Sequence, residues 1–235
     1  MSNQSRKSSV ALLDGDILTY RVGFASEDVS EKIAKARMKD TIVDILMEMT
    51  DVGDYEGYLS GPTEDNFRMA LAVTAPYKGN RPGNKPVHYE CLRDYLAEEW
   101  EFSVSSGQEA DDDIAIKATE LGAGSFIIVS IDKDFLQIPG KHYNWVKREY
   151  YDVSEIEGLR NFYKQILCGD RVDNVIGIRG IGPVKADRIL GACTTEAEMY
   201  AAVLAAYEGN RDRVIENGRL LFLRRVPDQI WEPPQ

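Results

Sequence analysis

The sequence is poor in cysteine, in long apolar runs and in net positive charge. Cys91, Cys168 and Cys193 are few, odd in number and widely spaced in the 235 residues, which argues against a disulfide framework or a zinc site and fits a reducing compartment. No apolar run approaches the ~18–20 residues that a membrane span needs. The start, Met1 to Ser9, is polar and carries Arg6 and Lys7, and no apolar stretch of signal-peptide type follows it. A cytoplasmic protein with no membrane partner is expected, with residues 1–9 as a flexible tail. Internal repeats and low-complexity segments are absent. The formal charge of −11 speaks at first sight against a nucleic-acid partner. Its distribution is uneven, however. Acids dominate Glu27–Asp65 and Asp94–Asp113, while bases stand out at Lys78, Arg81 and Lys85, at Lys141, Lys147 and Arg148, and from Arg211 to Arg225.

What is present begins with short buried strands that end in acids. Val10–Leu13 reads as such a strand, followed by Asp14-Gly15-Asp16. An acid there lies at the carboxyl edge, where open α/β sheets place their sites, and a plain Asp-Gly turn is the alternative. Ser125–Ile131 is the strongest buried strand and runs into Asp132-Lys133-Asp134. Between them, the spacing predicts a helix from Asp28 to about Met49, with Asp28 and Glu31 at capping-box distance and a core stripe of Met38, Ile42, Ile45, Leu46 and Met49. Tyr58-Leu59 is a weak strand signal before Gly61-Pro62. A further helix spans Pro86–Trp100, and Phe102–Val104 reads as a strand. Glu109-Ala110-Asp111-Asp112-Asp113 opens an amphipathic helix; acids in a first turn are ordinary there because they face the positive end of the helix dipole. Tyr143–Val146 and Glu149–Val153 fit a hairpin.

Alternating strands and helices imply an α/β fold: a mostly parallel central sheet with helices on both faces, over residues 10–157. From Gly158 the pattern turns helical, giving a second subdomain over 158–226. Within it Gly180-Ile181-Gly182-Pro183 joins two helices, with Pro183 at a first helical position and Lys185 just beyond, and its amides form a ready site for a phosphate oxygen. Thr195 and Glu198 have capping-box spacing. A last helix from about Asn210 carries several arginines and stops at Pro227, leaving 227–235 as a loose tail.

Asp14, Glu109, Asp111, Asp112, Asp132, Asp134, Asp170 and Asp173 thus fall in four groups, three of which follow a strand or open a helix. Oxygen-only ligands point to hard cations, Mg²⁺ or Mn²⁺. Eight carboxylates exceed the need of one ion and fit a pair ~3.5–4 Å apart, as in phosphodiester hydrolysis. The loop Tyr77-Lys78-Gly79-Asn80-Arg81, with one aromatic ring and two cations, suits a phosphate and a stacked base, or simply solvent.

In order and spacing, Asp14-Gly15, Tyr77–Arg81, Glu109–Asp112, Asp132-Lys133-Asp134-Phe135 and Gly169-Asp170…Asp173…Gly180-Ile181-Gly182-Pro183 resemble the 5′-nuclease family. This family comprises phage 5′→3′ exonucleases, the 5′-nuclease domain of bacterial DNA polymerase I and flap endonucleases, and the resemblance extends from Asp14 to about Gly191. It implies a PIN-like core with a first metal site at Asp14, Glu109, Asp111 and Asp112 and a second at Asp132, Asp134, Asp170 and Asp173. It further implies a short helical gateway at about 77–100, in which Lys78 and Arg81 grip the scissile phosphate and Tyr77 stacks on a base. Arg21 is expected to add a phosphate contact, and Gly180, Gly182 and Lys185 to belong to a helix–hairpin–helix on duplex DNA, with K⁺ as a further ligand. The implied partner of this monomer is double-stranded DNA with 5′ ends, flaps or gaps, or an RNA–DNA hybrid. Two departures stand out: the family's acid after the second strand is replaced around Gly61, with Glu64, Asp65 or Asp16 as substitutes, and a basic position before Gly169 is Gln165.

Two other readings stay open at this level. Asp14-x-Asp16 loosely matches aspartyl-phosphate phosphohydrolases, with Asp14 as nucleophile. A non-catalytic, structure-specific DNA-binding protein would also account for the missing acid near Gly61.

Overall fold

Successive side chains of the central strands point to opposite faces, and each face is covered by its own helices. The computed structural model describes residues 9–80 and 83–235. In chain order these form β1 (Ser9–Asp14), α1 (Gly15–Phe24), α2 (Glu31–Met47), β2 (Val52–Leu59), α3 (Arg68–Leu71), α4 (Tyr89–Glu99), β3 (Ser103–Val104) and α5 (Ala110–Leu121). There follow β4 (Phe126–Val129), β5 (Gly140–Asn144), β6 (Glu149–Val153), α6 (Glu155–Cys168), β7 (Gly169–Asp170), β8 (Val175–Ile176), α7 (Pro183–Leu190), α8 (Glu196–Ala206) and α9 (Arg211–Leu221). Among the described residues the main sheet has the order β3-β2-β1-β4-β5-β6, parallel except for the β5–β6 hairpin.

Ala11 and Leu13 of β1 and Ile127 and Val129 of β4 pack with α1, α2 and α4. Their neighbours Leu12, Phe126 and Ile128 pack on the other face with Ile114, Ala115 and Ala118 of α5. The registers Leu12↔Ile128 and Leu13↔Val129 keep each set on its own side. This is the expected mostly parallel sheet with helices on both faces. Because β1 and β4 run side by side, their carboxyl ends bring Asp14 and the Asp132 turn to one edge.

A third cluster is built from α6 to α9, around Phe162, Tyr163, Ile166, Leu190, Met199 and Val214. Helix α6 starts at Glu155, ahead of the expected Gly158, because Ser154 and Glu157 close a capping box. Other boundaries shift for similar local reasons. Helix α2 begins behind Ser30 rather than at Asp28, since Val29 N–H bonds the Ser26 carbonyl and closes a turn first. Strand β2 runs the full length of β1 despite Gly53, Asp54 and Gly57, its pairing with a central strand outweighing weak intrinsic preference.

Within the expected gateway over 77–100, α4 buries Leu92 and Leu96 in the core with residues of α1 and α2. One expected segment differs more deeply: the stretch 227–235 is not a loose tail. Trp231 is only 5% exposed and packs edge-on against Phe162 and Tyr163 of the helical cluster. The tail expected over 1–9 falls on residues 1–8, outside the described residues, and on Ser9, which opens β1.

Candidate active site

The carboxyl edge opens on a cleft of about 920 Å³. Lining it are Asp14, Asp16, Glu64, Glu90, Glu109, Asp111, Asp132, Asp134, Asp170 and Asp173, together with Lys78, Lys85, Arg93 and Lys133. The topology therefore joins seven of the eight expected acids, adds Asp16, Glu64 and Glu90, and leaves out Asp112.

Asp14 ends β1 and caps α1. One oxygen accepts Ile17 N–H at 3.1 Å and the other accepts the Ser130 hydroxyl at 2.6 Å. Burial, then the neighbouring Asp16 and Asp132 carboxylates, push its pKa up to about 7. Asp111 is driven well above the ordinary range by burial and by Asp14, Asp132, Asp16 and Asp134 in turn. Burial, then Asp132 and Asp170, raise Asp134 to about 7. Each of these acids is thus raised partly by acids of another group, the electrostatic mark of one shared site.

Positive groups offset some of this charge. Lys133 reaches Asp170 at 3.0 Å; burial works against the charged form of Asp170, but Lys133 and the N–H groups of Val172 and Asp173 hold its carboxyl below the usual range. Lys78, held in left-handed backbone at φ 56°, pairs with Glu109. Arg93 bonds Asp16 at 2.8 Å and the Ser60 carbonyl at 2.5 Å. Among the described residues no group of three or more His, Cys, Asp or Glu side chains is disposed to hold a metal ion. The pairings differ in how easily they open: the Lys133 side chain is 67% exposed, whereas that of Arg68, on Asp112, is 2% exposed.

Several expected roles need correction. Asp112 is fully buried, its two oxygens taken by Arg68 Nη1 at 2.6 Å and Nη2 at 2.9 Å, so it is no ligand of the cleft. It also caps its own helix, accepting Glu109 N–H at 3.2 Å. Tyr77 is 2% exposed and cannot stack on a base; its hydroxyl instead donates to Asp173 at 2.8 Å and Glu109 at 3.0 Å, bridging two acid groups. Arg21 is not a lining residue of the cleft: its guanidinium lies 5.6 Å over the Trp145 ring. Lys185 donates to the Gly180 carbonyl at 2.8 Å, on the hairpin before α7. Arg81 lies outside the described residues.

Sequence reasoning missed the roles of Arg68, Arg93, Tyr20 and Tyr89. No periodicity marks a buried arginine; only its partner, 44 residues away, reveals it. Tyr20 and Tyr89 do line the cleft, rings 5.2 Å apart, and supply the aromatic surface that Tyr77 does not.

The sequence is 32% identical over 139 residues to the protein called flap endonuclease Xni of Shewanella sediminis, 54% of each chain, and 27% identical over 210 residues to that of Shewanella denitrificans, 82% of this chain and 81% of that one. The T5 D15 protein co-crystallized with metal ions has the same fold, with a TM-score of 0.68 at 17% identity over 92% of this chain and 89% of that one. The chain is thus similar in sequence to proteins named flap endonuclease and shares the fold of the T5 D15 protein. No family model matches it. The chain spans about half the length of the first of these curated relatives, 54% for Shewanella sediminis.

In the segment after β2, Gly61 itself has no room for a side chain, while Glu64 lines the cleft. A Cβ on Gly61 would lie 2.3 Å from the Ser105 carbonyl oxygen, because Ser105 N–H bonds Leu59 O and draws the two backbones together. Gly61→Ala is expected to lower stability by about 1–3 kcal/mol, measured by urea denaturation. A variant as stable as the wild type would show that the backbone yields. Gln165, in place of the basic residue, donates to Asp134 at 2.5 Å.

Proposed function

We propose that the protein is a divalent-metal-dependent 5′-nuclease that hydrolyses phosphodiester bonds of DNA at 5′ ends and flaps. The observation that carries this reading is the convergence of seven family acids, with Asp16, on one cleft that also holds Lys78 and Arg93. The relatives named flap endonuclease support it, as does the T5 D15 flap endonuclease in a complex with DNA and metal ions, matched with a TM-score of 0.61.

The donor set is all oxygen, and burial together with mutual repulsion raises Asp14, Asp111 and Asp134, so the cleft fits hard divalent cations of the Mg²⁺ or Mn²⁺ class. Asp14, Asp16, Glu109 and Asp111 would hold one ion, and Asp132, Asp134, Asp170 and Asp173 a second. When bound, the cations would supply Lewis acidity at the scissile phosphate. The chain's own contribution is then orientation and charge. Lys78 and Arg93 would neutralise phosphate oxygens on leaving their carboxylate partners, and Arg81 is proposed for the same task. Tyr77 holds Glu109 and Asp173 in place from behind. Gly180, Gly182 and Lys185, at the start of α7, are proposed to meet the duplex backbone.

Asp14 is a poor phosphatase nucleophile by contrast. It is 1% exposed and both its oxygens already accept hydrogen bonds. Cleavage of a 5′-labelled duplex and a 5′-flap with Mg²⁺, with Mn²⁺ and with EDTA tests the proposal. Cleavage is expected with either metal and none with EDTA, and Lys78→Ala should slow it by roughly a hundredfold at saturating DNA. No cleavage under any metal would overturn the nuclease reading, and preferential hydrolysis of small phosphate esters would favour the phosphatase.

A further inference from the structure

We infer that residues 222–231, after α9, form a strap that positions the acidic turn of the cleft, with Arg224 as its positioning residue. The chemical consequence rests on the nuclease reading; the mechanical one does not. Glu109 and Asp111 line the cleft, and the residues flanking them, Gln108 and Asp112, are the two that Arg224 holds. Its backbone N–H donates to Asp112 Oδ1 at 3.1 Å, and its Nη1 donates to Gln108 Oε1 at 2.7 Å. The guanidinium is kept there by Nε on the Gln229 carbonyl at 3.1 Å and by the Phe67 ring 3.6 Å beneath it. Arg224 is 6% exposed, so these contacts are made out of water. A lysine could not make them together, since only a guanidinium offers Nε and Nη donors in one fixed fork.

The far end of the strap is anchored in the helical cluster. Trp231 lies so close over α9 that a Cβ on Gly218 would fall 2.3 Å from its ring. Gln229 Oε1 accepts Arg225 N–H at 2.7 Å and shapes the turn between the two ends. The strap thus fastens the first turn of α5 from both sides of its cleft-facing acids, while its other end reports the position of α6 and α9.

Groups that orient ligands from behind typically contribute 10–100-fold to metal affinity or activity. In Arg224→Met, amides of Glu109, Ala110 and Asp112 are expected to exchange hydrogen several-fold faster, with those of Phe126–Val129 unchanged. The Mg²⁺ concentration for half-maximal cleavage should rise roughly tenfold with KM for DNA unaltered. Gln108→Ala should reproduce both effects, and the double variant should add little to either single one, since the two side chains share one hydrogen bond and the other bond of Gln108 goes to Asp113 in the same turn. Should Arg224→Met fail to fold, Gln108→Ala carries the same test. Unchanged exchange at Glu109–Asp112 in the variants, or effects of Arg224 and Gln108 that simply add, would overturn the strap. If the wild type cleaves nothing under any metal, the nuclease reading falls, and the exchange measurement still decides the strap.

Discussion

Asp111→Asn is expected to reduce hydrolysis on the order of a thousandfold while duplex binding survives. The side chain faces the cleft with Asp14, Asp16, Asp132 and Asp134 around it, and the repulsion among them raises its pKa beyond what burial alone would do. Asparagine keeps the shape and removes one negative charge. Without divalent cation that charge is repelled by Asp14, Asp132, Asp16 and Asp134, so the variant should melt at or above the wild-type temperature. Calorimetry without metal, together with single-turnover cleavage in Mg²⁺, separates the two effects. A lower melting temperature would make Asp111 a structural residue, and cleavage within tenfold of wild type would put the metal site elsewhere.

The adjacent Asp112 should behave in the opposite way. It and Arg68 form a bidentate pair that is closed to water, with Arg68 Nε also on the Leu220 carbonyl at 2.9 Å and Nη2 on the Phe222 carbonyl at 2.8 Å. Removing one partner leaves the other buried and charged, which costs about 3–5 kcal/mol. Arg68→Ala or Asp112→Ala should therefore unfold at much lower urea. A double replacement by apolar residues of similar volume, Arg68→Met with Asp112→Leu, should recover a good part of that loss, because it removes both charges together. If Asp112→Ala loses less than about 1 kcal/mol, or the double variant is as unstable as the sum of the singles, the pair is not what holds this part of the fold.

These two neighbours show where sequence reasoning stops. Both are aspartates of one first turn in a family motif, and the motif assigns them the same task. On a helix they project about 100° apart. Which one meets the cleft depends on what lies on the other side, and that is Arg68, 44 positions earlier, and Arg224, 112 positions later. Tyr77 illustrates the same point. Its place just before two cations made it a candidate for stacking, but the ring is absorbed by the helical cluster and the hydroxyl by Glu109 and Asp173. Trp231 reads as part of a polar, proline-rich tail until Gly218 and Phe162 are seen to form its seat.

Local patterns were enough for the sheet, the main helices and the grouping of the acids. Apolar runs such as Phe126–Val129 are strands buried on both faces, and an acid that follows such a strand must lie at the carboxyl edge. Pro183 behind Gly182 and the Thr195–Glu198 box set helix starts from contacts within a few residues. The roles of Asp112, Tyr77, Arg68 and the 222–231 strap arise from partners far away in the chain. Burial forces a charged or polar side chain to find such a partner, and no periodicity along the sequence says which one it will be.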